Sequence, residues 1–182
     1  MLTGFHCFLM VFVLFFISNV SAQDTIPNSQ FPITNFPTDL DSLKVDSFFT
    51  TKNIDLTKCD KPEMYYEIYR WYRTCYRYGG NSDKGIDCSH FVNMLYEKIY
   101  GHRLNSSSAS IFTQCKVVKK GIEDAVEGDL VFFRIKKKRV SHIAIYLQNG
   151  KFAHASTQAG VIISDITEPY YKRHFYKVGR ME

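Results

Sequence analysis

Cys88 stands in the stretch Lys84-Gly85-Ile86-Asp87-Cys88-Ser89-His90-Phe91-Val92, directly after an aspartate and just before an apolar run. Asp87 has the side chain of a helix N-cap. Phe91, Leu95 and Ile99 then recur on one helical face, up to a stop at Gly101. Cys88 would be the first residue of that helix, beside unpaired backbone N–H groups and the positive end of the macrodipole. A free thiol, with a pKa of about 8.5, is mostly protonated at neutral pH, and a helix N-terminus or a nearby imidazolium lowers that pKa. Position alone says little, because cysteine is also among the most buried residue types.

Two histidines strengthen the reading. His142 lies in Ser141-His142-Ile143-Ala144-Ile145-Tyr146-Leu147 and His154 in Lys151-Phe152-Ala153-His154-Ala155-Ser156, both patterned as strands. Thiol hydrolysis needs one imidazole to take the thiol proton and a second group to orient the first. Pleat parity makes the pairing testable. The turn between the two strands is Gln148-Asn149-Gly150. A two-residue Asn-Gly loop pairs Gln148 with Lys151 and puts the histidines on opposite faces. A three-residue loop, with Gly150 left-handed in a bulge, pairs Leu147 with Lys151. His154 then faces Ala144, diagonal to His142 and on the same side. Chemistry demands the bulged form. Zinc is not expected, since Cys88, His142 and His154 lack the paired spacings of common sites, and no cofactor is implied.

These residues need a scaffold. A first helix is expected from Asp60, with Asp60 and Glu63 spaced as a capping pair and Pro62 in the first turn. Met64, Ile68, Trp71 and Cys75 form its apolar stripe, and Tyr78 to Gly85, YGGNSDKG, end it. After residue 125 the pattern turns to short strands at 128–135, 141–147, 151–156 and 160–164, an antiparallel meander. Helices followed by a sheet read as α+β.

The chain has 182 residues, enough for one core. Cys7 to Ile17 are uninterrupted apolar and too short to span a bilayer. Small residues up to Ala22 follow, so residues 1–22 read as a secretory signal peptide, although the segment before the apolar run lacks Lys and Arg. Residues 23–58 are polar, with Pro27, Pro32 and Pro37, and read as a tether or wrapping segment. Export would put Cys59, Cys75, Cys88 and Cys115 in an oxidising compartment, and which of them pair is open. The net charge is +5, with a cluster at Lys136-Lys137-Lys138-Arg139 that reads as a solvated hairpin tip or as an attraction to anionic envelope polymers. Nucleic acid is not an expected partner, for no basic helix or stacking-aromatic motif occurs.

Tyr76 to Ser89 (YRYGGNSDKGIDCS), Gly128 to Phe133 (GDLVFF), SHIAIYL and Phe152 to Ser164 (FAHASTQAGVIIS) together resemble the NlpC/p60 cell-wall cysteine peptidases, in particular single-domain murein endopeptidases. The resemblance covers roughly residues 65 to 180, and implies a papain-like α+β core within residues 59–182. It implies Cys88 as nucleophile, His142 as general base and His154 as the member that orients it. Tyr76 matches a tyrosine that helps to polarise the scissile carbonyl. Ser89 and His90 are the residues expected on the substrate side. His90 departs from the family, which usually has Gly there, and Leu104-Asn105-Ser106-Ser107 stands where members read Leu-Pro-Arg-Ser, with Ile111 at a position usually occupied by glutamine. The implied activity is hydrolysis, through a thioester, of peptide bonds in peptidoglycan stem peptides, as a D,D cross-link endopeptidase. A γ-D-glutamyl–diamino-acid endopeptidase, an L,D-carboxypeptidase and a murein-binding module without turnover are alternatives. A lipid acyltransferase on a related scaffold is disfavoured by the polar, tyrosine-rich motif region. The expected protein is a monomer, exported to the periplasm or cell envelope.

Overall fold

The computed structural model describes residues 39–136 and 138–182. The expected signal peptide, most of the proline-bearing segment and Lys137 lie outside the described residues. Among the described residues five α-helices are seen: α1 (Asp39–Thr50), α2 (Pro62–Trp71), α3 (Cys88–Tyr100), α4 (Ser108–Gln114) and α5 (Pro169–His174). The strands are β1 (Asn81–Ser82), β2 (Gly85–Ile86), β3 (Lys116–Val117), β4 (Leu130–Phe133), β5 (His142–Tyr146), β6 (Lys151–Ser156), β7 (Gly160–Asp165) and β8 (Phe175–Arg180). β1 and β2 form a small ribbon, and the other six form one antiparallel sheet in the order β3-β8-β4-β5-β6-β7. The expected meander is β4 to β7. β8 returns to the free side of β4 and separates it from β3.

The expected α+β class follows from how each face is covered. On one side, Ile143, Ile145, Ala153, Ala155 and Phe132 pack with Phe91, Leu95, Met64, Ile68 and Ile111 from the helices. Each Ile, Leu, Met or Phe among them contributes about 1.5–3 kcal/mol when fully buried. On the other side, Val131, Phe133, Ala144, Tyr146 and Phe152 form a smaller cluster with Tyr171 of α5.

Three expectations change. The stretch before residue 59 shows no clear sequence period, yet α1 packs into the core through Val45 and Phe49, four residues apart, with the Phe49 ring 5.1 Å from Tyr65. Two anchoring positions are too few to reveal a period. α2 starts at Pro62 without a side-chain cap of its own, so the Asp60–Glu63 capping pair does not form. Instead the distant Glu127 carboxylate accepts from the N–H groups of Asp60 (3.2 Å) and Lys61 (2.8 Å), placing a negative charge at the helix's positive end. α2 also stops at Trp71 rather than continuing to Cys75. Arg73 turns left-handed at φ 70° and is captured by β7: Arg73 N–H bonds Val161 O at 2.8 Å, and Val161 N–H bonds Thr74 O at 2.9 Å. Lys136, Lys138 and Arg139 are exposed on the β4–β5 connection, where Ser141 Oγ accepts from the Ile135 and Lys136 N–H groups.

Candidate active site

Asp87 caps α3 as its type suggests. One carboxylate oxygen accepts from His90 N–H and from the Ser89 hydroxyl, each at 2.9 Å, and the other accepts from Gly79 N–H at 2.9 Å. Burial alone would raise this carboxyl, but the bonds from His90 and Ser89 outweigh it and hold it below the usual range. The cap therefore ties the Gly79 turn to the first turn of α3. Cys88 is the first helical residue and is buried. Tyr76 is set beside it by the adjoining main chain: it bridges Ile86, while Ile86 N–H bonds Cys75 O at 3.0 Å and Arg77 N–H bonds Ile86 O at 3.2 Å. Burial, then the neighbouring Cys88, pushes the Tyr76 phenol up to about 12.

The hairpin register is the one the chemistry demands, reached by a different device. Ile145 pairs with Ala153 and Tyr146 with Phe152. Asn149 and Gly150 are both left-handed, at φ 52° and 74°, and Lys151 N–H donates to Gln148 O at 2.8 Å, which is the two-residue Asn-Gly turn. Leu147 N–H bonds Lys151 O as well, at 2.9 Å, so Leu147 and Gln148 both face Lys151 and the bulge sits one step before the turn. Its cause is tertiary. The Gln148 side-chain amide accepts from Asp55 N–H at 3.2 Å and donates to Asp55 O at 3.1 Å, while Asn149 donates to Asn53 O at 2.9 Å. The segment after α1 thus grips the hairpin end.

On this register His142 and His154 share a face and bond each other, Nε2 to Nδ1, at 2.9 Å. The His142 nitrogen left over is Nδ1. Cys88 approaches β5 from the α3 side, its sulfur near the main-chain N–H of Ile143, the residue after His142. Burial pushes the Cys88 thiol up to about 11 against the pull of that N–H, and pushes the His142 imidazole down to about 4. His154 is held well below its usual value, by burial first and then by His142. All three directions favour neutral groups in the resting site. Among the described residues, no three His, Cys, Asp or Glu side chains are grouped to hold a metal ion.

The remaining candidates divide. Ser89 is buried and its hydroxyl is committed to Asp87, so it serves the cap. His90 keeps about a third of its side chain exposed, with Nδ1 at 3.1 Å from Asp87 but not aligned for a hydrogen bond. Ser107 caps α4 through a reciprocal pair with Ser110, and Ile111 is buried in the core. The four described cysteines are free thiols. Two site neighbours escaped the sequence reading. Ser164 Oγ and Tyr171 OH lie 3.2 and 3.1 Å from His154 Nε2. A serine on β7 with the parity of His154's partner was a usable signal for the first; nothing local marks Tyr171.

Buried neutral histidines carry a stability consequence. Unfolded, both rings bind a proton near pH 6.5; folded, they resist it. The unfolded state therefore gains protons as pH falls, and stability present above about pH 6.5 is lost toward pH 4. With His142 at about 4, its share of that loss is roughly 3 kcal/mol by pH 4. Urea midpoints at pH 7 and pH 4 should show a fall that shrinks in His142→Asn. An equal fall in both proteins would remove the account.

The model of the NlpC/P60 family matches residues 73–180. The chain is 35% identical over 130 residues to the murein DD-endopeptidase MepS/murein LD-carboxypeptidase of Escherichia coli, covering 71% of this chain and 65% of that one. It is 37% identical over 114 residues to a probable endopeptidase of Haemophilus influenzae, covering 62% and 70%. Among solved structures, a lipoprotein-like NLP/P60 family protein from Staphylococcus aureus superposes with a TM-score of 0.58 at 27% identity, covering 65% of this chain and 40% of that one. The chain thus spans just under two thirds of the E. coli relative's length.

Proposed function

Because the chain belongs to the NlpC/P60 family, we propose that it is a cysteine peptidase that hydrolyses peptide bonds in peptidoglycan stem peptides, with the D,D cross-link as its bond. The reading is carried by the 2.9 Å bond between His142 and His154, on the strand next to a cysteine that opens α3. It is supported by the murein endopeptidase name of a 35% identical relative. In this reading Cys88 Sγ attacks the carbonyl carbon while His142 Nδ1 takes the thiol proton. The tetrahedral adduct expels the amine, which leaves with that proton. Water, deprotonated by the same imidazole, then cleaves the thioester and restores the thiol. Because the resting thiol is neutral, proton transfer accompanies attack.

His154 orients His142. The Cys88 N–H, an orphan at the helix start, and the Tyr76 hydroxyl are the donors assigned to the developing oxyanion. Each such donor typically contributes about 2.7–4 kcal/mol. His90, partly exposed on the first turn of α3, is assigned to the substrate side. Residues 1–22 as an export signal, an envelope location, a monomeric state and electrostatic attraction of the exposed β4–β5 basic loop to anionic polymers belong to the same proposal. Purified murein incubated with the wild type and with Cys88→Ala, its soluble muropeptides weighed by mass spectrometry, tests it. Products from the wild type alone are expected, with masses of cleaved dimers. Identical digests would sink the enzyme reading, and released γ-D-glutamyl fragments would move the bond.

A further inference from the structure

The outer nitrogen of His154 faces a small buried cluster that the reaction as proposed leaves unused. His154, Ser164 and Tyr171 are 2%, 6% and 8% exposed. Nε2 has the Ser164 hydroxyl at 3.2 Å and the Tyr171 hydroxyl at 3.1 Å. Phe152 and the Tyr171 ring pack around the imidazole, each with its centroid 5.3 Å away. Ser164 comes from β7 and Tyr171 from α5, so two separate elements converge on one nitrogen.

We infer that Ser164 and Tyr171 are positioning residues that hold His154 in the tautomer with its proton on Nε2. The inference rests on His142 acting as the base through Nδ1. For Nδ1 to accept a proton it must be bare, so the resting His142 proton is on Nε2 and is donated to His154 Nδ1. That nitrogen must then be bare too, and the His154 proton sits on Nε2. Enclosed among aromatic rings, this N–H needs an acceptor, and both neighbouring hydroxyls have lone pairs to offer. Either one suffices.

Removing both leaves the N–H buried without a partner. The His154 proton then moves to Nδ1, where it points at His142 Nε2. His142 must in turn carry its own proton on Nδ1, the nitrogen that has to be empty. The base is disabled while the fold stands. A group whose role was packing alone would leave tautomers untouched.

The test compares the wild type, Ser164→Ala, Tyr171→Phe and the double variant. Histidine tautomers are read by nitrogen-15 NMR on the resting protein, and kcat and KM are measured on murein. Expected are the Nε2–H form of His154 in the wild type and in both single variants, each with no more than about a tenfold loss of kcat. The double variant should show the Nδ1–H form, with kcat lower by roughly 10²–10⁴-fold and KM retained. A wild-type His154 protonated on Nδ1 overturns the inference whether or not the variants fold. So does a double variant with wild-type tautomers. If the wild type shows the stated tautomers but no murein hydrolysis, the proposed function fails and the tautomer assignment stands.

Discussion

His142→Ala is expected to abolish murein hydrolysis, lowering kcat by about 10⁶-fold, as much as Cys88→Ala and no less than the two together. The equality follows from the chemistry. The thiol is buried and its pKa is pushed up to about 11, so without a base essentially no thiolate exists at neutral pH. A nucleophile and its base act as one unit, so losing either loses both. The same physics sets the alkylation profile of Cys88. A neutral thiol, served in the proposed reaction by a neutral imidazole, should react with iodoacetamide at a rate still rising above pH 9. A preformed thiolate–imidazolium pair would give a plateau through neutral pH. Steady-state turnover and the alkylation rate across pH decide both points. A His142→Ala protein that keeps more than a tenth of wild-type turnover would show that another group is the base.

Gly160→Ala should produce the largest loss of stability among single changes near the site. Gly160 opens β7 at φ 71°, in the left-handed region, and a Cβ there would be driven into the Thr74 carbonyl. Left-handed backbone costs an alanine about 1–2 kcal/mol. The clash with main chain must also be relieved by moving the 73–74 segment away, which loosens its two hydrogen bonds to Val161, each with a net contribution of about 0.5–1.5 kcal/mol. Together these suggest roughly 2–5 kcal/mol, or a fall in Tm of about 5–15 °C for a chain of this size. The same segment leads into Tyr76 and the Gly79 turn that Asp87 holds, so activity should drop further than stability alone requires. Calorimetry and hydrogen exchange over residues 73–80 would show it. A Tm within a degree of the wild type would mean that the close approach is readily relaxed.

Much of the site was legible because its signals are local. Asp87, the apolar face of Phe91 and Leu95, and Gly101 specify α3 within one stretch, and the structure has the helix between that cap and that stop. The strands bearing His142 and His154 carry their own period and turn residues, and both formed where expected. Of the four motif blocks that resemble the family, one runs into the first turn of α3, one covers β4, one β5, and one β6 with β7.

Three things were decided only when the chain folded. The capping of α2 passed from Asp60 to Glu127, 66 residues from Lys61. The outer nitrogen of His154 found Tyr171 on a short helix that no repeat announces. The face that the two histidines share depends on a bulge at Leu147–Gln148, and Gln148 is held by Asp55, 93 residues away. Caps, periods and turns are energies between residues a few positions apart, and they can be read from the letters. Asn-Gly alone favours the two-residue turn, and the bulge that reverses its parity is held by a distant hydrogen-bonded pair.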